Sequence, residues 1–191
     1  MSDLYLIVGL GNPGIDYAKT RHNLGFLVVQ YLVEKNGFCF KKSSFIKGVA
    51  AEGSIDGHKI CFFLPMTFMN NSGTAVKQIA LEKKVAPENI LVISDDLNLC
   101  FGQLRLKSKG GHGGHNGLRS VIQNLETEKF ARLRMGIDLP SGKKDITNYV
   151  LENFSKKECE ALDIFICEAA ECCLTWVKSG IHQTMERYNG K

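Results

Sequence analysis

The 191-residue chain is 44% hydrophobic and 23% charged, with a formal net charge of +4, the balance of a globular chain able to bury a core and not of a disordered or fibrous one. No apolar run reaches the roughly 18 residues that a bilayer crossing needs, and the opening MSDLYLIVGLGNPG lacks the basic n-region of a secretory signal. A single domain over residues 1–191, cytoplasmic and without a membrane partner, is expected; the mild basicity (pI near 8.6) permits a nucleic-acid partner without requiring one.

Residues 4–9, LYLIVG, are a short continuous apolar run of the kind buried on both faces of a sheet. Gly9-Leu10-Gly11-Asn12-Pro13-Gly14 then satisfies the letter of the G-x-G-x-x-G dinucleotide fingerprint. That fingerprint needs a helix opening inside it, so that a pyrophosphate meets the helix N-terminus. Pro13 and the polar stretch 16–22 intervene, which makes the nucleotide reading a decoy. The first convincing helix spans 24–35, with Leu24, Leu27, Val28, Tyr31 and Leu32 on one face and Asn23 as its N-cap. Asp56-Gly57 marks a hairpin between strands over 45–55 and 59–64. Cap-type residues crowd 66–73 ahead of a helix over 74–84, and ILVIS at 90–94 is another buried strand, ending on Asp95-Asp96. Residues 103–107 alternate as a half-exposed strand. A helix over 116–125, a strand over 132–137, a long helix over 155–179 and a short terminal turn over 182–188 complete the chain. The seven cysteines form no C-x-x-C pair and read as small buried hydrophobes. Strands alternating with helices predict an α/β fold: a twisted, mixed and largely parallel central sheet flanked by helices.

In open α/β sheets, ligands sit beyond the carboxyl ends of the strands. Three apolar strands here run into polar clusters, at Asn12, at Asn70 and Asn71, and at Asp95. A fourth leads into KGGHGGHNG at 109–117, with five glycines and two histidines in nine residues. Such a loop lets backbone approach a ligand closely while presenting imidazole and amide groups. Asparagine amides suit gripping or polarising a carbonyl. A histidine paired with a carboxylate suits activating water as a general base. His22, just ahead of a helix, and His112 and His115, on the glycine loop, are the candidates, although a lone histidine at a helix start is more often a cap or surface group. No G-x-S-x-G elbow is present. Zinc held by His112 and His115 with Asp95, Asp96 or His22 is the competing chemistry, but that pair is on a loop and no Cys cluster or H-E-x-x-H supports it. No metal and no cofactor is expected.

GLGNPG at 9–14, Tyr17, RHNLGF at 21–26, PMTFMNNSG at 65–73, SDDLNL at 94–99, GGHGGHNGL at 110–118 and FARLRMGI at 130–137 together resemble the bacterial peptidyl-tRNA hydrolase family, in the family's order. The resemblance implies a monomeric, phosphorylase/hydrolase-like α/β enzyme without metal. Such an enzyme cleaves the ester between a peptide and the terminal ribose of tRNA, freeing the tRNA for translation. It implies His22 as general base, with Asp95 orienting and polarising it. Asn12, Asn70 and Asn116 would bind the peptide and reacting groups, with Tyr17, Met69 and His115 also at the substrate site. Arg105, Lys107 and Arg134 would grip tRNA phosphates without reading bases. The chain departs from the usual pattern at Leu64, Ser94, Asn98, Cys100, Lys109 and Asp138-Leu139. These departures spare every residue assigned to catalysis.

Overall fold

The computed structural model describes residues 4–42, 45–140 and 145–190. In chain order the elements are β1 (Leu4–Gly9), α1 (Leu24–Lys35), β2 (Lys41–Lys42), β3 (Gly48–Ile55), β4 (His58–Pro65), α2 (Ser72–Glu82), β5 (Ile90–Asp96), β6 (Leu104–Lys107), α3 (Asn116–Leu125), β7 (Ala131–Gly136), α4 (Ile146–Leu151) and α5 (Lys156–Tyr188). The strands form one sheet ordered β2-β3-β4-β1-β5-β7-β6. β4, β1, β5 and β7 are mutually parallel at its centre, while β2 and β3 on one edge and β6 on the other pair antiparallel. The expected mixed sheet, parallel in its middle, is the one observed.

The apolar runs fill both faces because the side-chain period of a strand is two. Ile7, Phe62, Leu91, Ile93 and Leu133 point into the layer formed with α1 and α5. Leu6, Val8, Phe63, Ile90 and Val92 point the other way, into the layer with α2 and α3. The chain leaves β1 for β4 on one side and returns through α2 to β5 on the other. β1 therefore lies at a topological switch point, where a crevice opens beyond the strand ends. Glycine brings α1 down onto that crevice: a Cβ on Gly9 would run into the Gly25 backbone, and one on Gly25 into the backbone of Leu10 and Ile93.

Several local expectations change. The hairpin strands are Gly48–Ile55 and His58–Pro65, with Phe45 left 91% exposed outside the first. α2 opens at Ser72 because a 3-10 turn, Met69–Asn71, runs straight into it. α5 starts on a capping box between Ser155 and Glu158 and is broken at Gly180 (φ 76°), so the expected terminal turn is a second helical segment. α4 and the two-residue β2 carry too short a pattern to read from sequence. Asn23 does not cap α1; its side chain is spent elsewhere, on the Asn12 backbone.

Candidate active site

Three consecutive residues organise the site. Arg21, His22 and Asn23 form a single 3-10 turn ahead of α1, and with about three residues per turn their side chains leave in three directions. Asn23, buried, accepts from the Asn12 N–H at 2.8 Å and donates to the Asn12 carbonyl at 2.9 Å, pinning the loop after β1. Arg21, also buried, forks onto the Glu158 carboxylate at 2.9 and 2.7 Å. Its Nη1 donates to the Tyr149 and Glu152 carbonyls at 3.3 and 3.4 Å. His22, between these two anchors, turns to Asp95 at the end of β5.

Asp95 Oδ1 lies 2.8 Å from His22 Nδ1 and 3.0 Å from His115 Nε2. Burial pushes the Asp95 carboxyl up, yet the two imidazoles hold it well below the usual carboxylate range. The group is therefore ionised and accepts from both rings. The two tautomers follow. His115 Nδ1 accepts the Leu118 N–H at 3.2 Å, as the N-cap of α3, so the ring proton is on Nε2, facing Asp95. His22 donates from Nδ1, which leaves its Nε2 lone pair free. Burial lowers the His22 pKa and the Asp95 charge raises it, with a net upward shift. Of the two histidines only His22 keeps an uncommitted basic nitrogen. The residue pattern by itself left that choice open, and the family resemblance implied His22.

These groups line one cleft of about 820 Å³, together with Asn12, Met69, Asn70 and Asn116. The strand-end clusters thus meet as expected. Asn12 Oδ1 accepts the Met69 N–H at 2.8 Å, so the amide is oriented with its NH₂ as the remaining donor. Asn70 and Asn116 are exposed on the cleft wall. Tyr17 is set back; its ring meets Phe68, which does line the cleft, edge-on at 6.5 Å. His112 Nδ1 accepts the Gly114 N–H at 3.1 Å, shaping the glycine loop from within. Ile146, Val150 and Leu151 of α4 supply an apolar side.

The basic residues divide. Arg105 pairs in register with Arg134 and Lys107 with Arg132, placing four cations on one face of the β6–β7 ribbon, opposite Leu104 and Leu106. Like charges directly across strands repel, and the fold offsets two of them. Arg134 Nε is ion-paired with Asp96. Arg132, fully buried, donates to the Gly110, Gly111 and Glu128 carbonyls and lies over the Phe130 ring; burial lowers its pKa to about 10. Arg105 and Lys107 are exposed, and Lys107, Arg132 and Arg134 reach the cleft, whereas Arg105 stands outside it. Arg21, Asn23 and Arg132 escaped assignment from the sequence, which read them as motif letters, a cap and a strand residue. Only Arg132 offered a signal, its place inside the apolar strand FARLRMGI, where an unpaired cation is costly.

His22, Asp95 and His115 also offer ligand atoms within 4.8 Å of one another. A divalent cation there would have to displace the two N–H donors aimed at Asp95 and would leave His115 Nδ1 committed to α3. The donor set is that of a hydrogen-bonded triad.

Comparisons with known proteins identify relatives of this chain. A family model described as peptidyl-tRNA hydrolase matches residues 6–191. The peptidyl-tRNA hydrolase of Clostridium botulinum strain Hall is 43% identical over 187 residues, covering 98% of this chain and 97% of that protein. That of Syntrophotalea carbinolica is 41% identical over 186 residues, covering 97% of each. The solved structure of peptidyl-tRNA hydrolase from Acinetobacter baumannii superposes with a TM-score of 0.92 at 40% identity, over 100% of this chain and 96% of that one. A 5'-methylthioadenosine nucleosidase from Arabidopsis thaliana reaches a TM-score of 0.51 at 10% identity, over 100% of this chain and 97% of its own. That likeness concerns the sheet and its helices alone, since fold by itself does not select a reaction. With near-complete coverage by relatives above 40% identity, this chain belongs to the peptidyl-tRNA hydrolase family.

Proposed function

We propose that this protein hydrolyses the ester linking a peptide to the terminal ribose of tRNA, with His22 as general base. The observation that carries the assignment is the hydrogen-bond pattern around Asp95 Oδ1, in which Leu118 N–H occupies His115 Nδ1 and both rings turn to Asp95; the tautomers it implies leave His22 Nε2 as the base in the cleft. His22 Nε2 takes a proton from water as the water oxygen bonds to the ester carbonyl carbon. The tetrahedral intermediate collapses by breaking the carbon–ribose oxygen bond, and the proton passes to that ribose oxygen. The products are a free peptide carboxylate and a tRNA with its hydroxyl restored.

Asp95 stabilises the imidazolium that forms. The Asn12 amide, its oxygen already held by Met69, offers an oriented donor for the developing oxyanion. Such a donor is worth about 10²–10³ in rate, and a positioned base about 10²–10⁴. Asn70 and Asn116 bind the peptide and ribose ends, with Met69 and His115 as the wall and Tyr17 backing Phe68. Arg105, Lys107 and Arg134 contact the tRNA backbone, Arg134 from its seat on Asp96. Phosphate contacts give affinity without sequence reading, which suits an enzyme that accepts many tRNAs. The protein works as a cytoplasmic monomer of one domain over residues 1–191; no described helix is long and apolar enough to cross a membrane.

The test is incubation with N-acetyl-aminoacyl-tRNA, following release of the amino acid with and without EDTA. Cleavage that persists in EDTA supports the reading. Binding without cleavage would make the protein an RNA-binding relative without turnover. EDTA-sensitive cleavage restored by zinc would assign the triad to a metal.

A further inference from the structure

Resting on that reading of His22, we infer that Arg21 is a positioning residue for the base, acting through a part-buried ion pair with Glu158 that anchors the catalytic turn to the start of α5. Four observations converge on it. Arg21 is only 5% exposed although it carries a full charge, and removing a buried guanidinium from water demands complete compensation. The compensation is a two-pronged bond to Glu158, the geometry that fixes an arginine in direction as well as distance. Glu158 is in turn fixed: its carboxylate accepts the Ser155 N–H at 2.6 Å, closing the capping box of α5. Burial raises and the Arg21 and Ser155 bonds lower the Glu158 pKa, for a net downward shift, so the pair is ionic.

The third prong, Nη1, holds the Tyr149 carbonyl of α4 and the Glu152 carbonyl just beyond it, where a cation also meets the negative end of a helix. The Arg21 ring contact with Tyr149, 4.3 Å from guanidinium carbon to ring centre, closes the remaining side. The backbone repeats the connection: the Arg21 N–H donates to the Glu152 carbonyl at 3.1 Å, and Thr20 bridges Asn153. His22 follows Arg21 in the same three-residue turn. Its other flank is held by Asn23 on Asn12. The base is thus suspended between an anchor on α4 and α5 and one on the loop after β1. A displacement of about 1 Å in a reacting group costs on the order of 10²-fold in rate, so the ion pair sets turnover without touching substrate.

The experiment is steady-state hydrolysis of N-acetyl-aminoacyl-tRNA by wild type, Arg21→Lys, Glu158→Gln and the double variant, each with its thermal unfolding midpoint. Wild-type turnover is read first, so failure of the functional reading is separated from failure of this one. Arg21→Lys keeps the charge but loses the fork; kcat is expected to fall about 10- to 100-fold with KM within about threefold. Glu158→Gln keeps one acceptor and is expected to fall less. The double variant is expected to be no slower than Arg21→Lys alone, because both changes act through one pair. Folded variants with unchanged kcat, additive losses in the double variant, or a raised KM at full kcat would each overturn the assignment. If Arg21→Lys does not fold, Glu158→Gln carries the test on the kcat–KM split alone.

Discussion

Asp95→Asn isolates what the buried charge contributes to the base. The amide oxygen of asparagine can still accept from His22 Nδ1, so the variant removes charge while retaining shape. At the observed 2.8 Å, a full imidazolium–carboxylate attraction with an effective dielectric constant of about 20 is about 6 kcal/mol. The hydrogen bond that remains and the sharing of Oδ1 with His115 reduce this by roughly half, to about 3 kcal/mol. At 1.36 kcal/mol per decade that is about a 10²-fold loss in kcat/KM on the pH plateau. The pH dependence supplies a sign. Asp95 raises the His22 pKa, so its removal lets His22 stay deprotonated to lower pH, and the acid limb of kcat/KM moves down the pH axis while the plateau falls. Among the described residues, the titratable side chains that meet His22 are Asp95 and His115. The assay is hydrolysis of N-acetyl-aminoacyl-tRNA between about pH 5 and 8, the range in which an ordinary histidine titrates. An unmoved acid limb with a full plateau would refute the pairing of charge and base.

His22→Ala is expected to remove about 10²–10⁴ of turnover. His115→Ala is expected to cost about 10-fold or less in kcat but about 1 kcal/mol in stability through the lost cap on Leu118; equal losses in kcat would mean the wrong base is assigned. Lys107→Ala is expected to weaken binding of all tRNAs and to reduce the slope of log affinity against log salt by about 1. Selective weakening for one tRNA would contradict a phosphate contact. Ser94, next to Asp95, is buried with no hydrogen-bond partner for its Oγ among the described residues. Ser94→Ala is expected to stabilise by up to about 1 kcal/mol, a rise of about 2–4 °C in Tm by calorimetry; a lower Tm would show that the hydroxyl is satisfied.

Much of the frame was legible because it is written in local patterns. LYLIVG, ICFFL and ILVIS announce buried strands by continuous apolar composition, and their polar ends mark Asn12, Asn70 and Asp95. The rejection of GLGNPG as a nucleotide loop also needed only the order of residues. Its first two glycines prove to lie against α1 instead, Gly9 on the Gly25 backbone and Gly11 on the Phe26 ring.

What tertiary structure decided are the relations between distant segments. That His115 Nδ1 is occupied depends on a backbone N–H from Leu118 reaching it, which no spacing encodes. Asn23 looked like a cap because caps are local; its actual partner, Asn12, is eleven residues away across the crevice. Arg21 and Glu158 are separated by 137 positions, and Arg134 meets Asp96 only because β5 and β7 are neighbours. Periodicity and composition report which side of an element is buried, since that is settled within a few residues. Which charge meets which, and hence which nitrogen is left free to take a proton, is settled only when the sheet has ordered its strands.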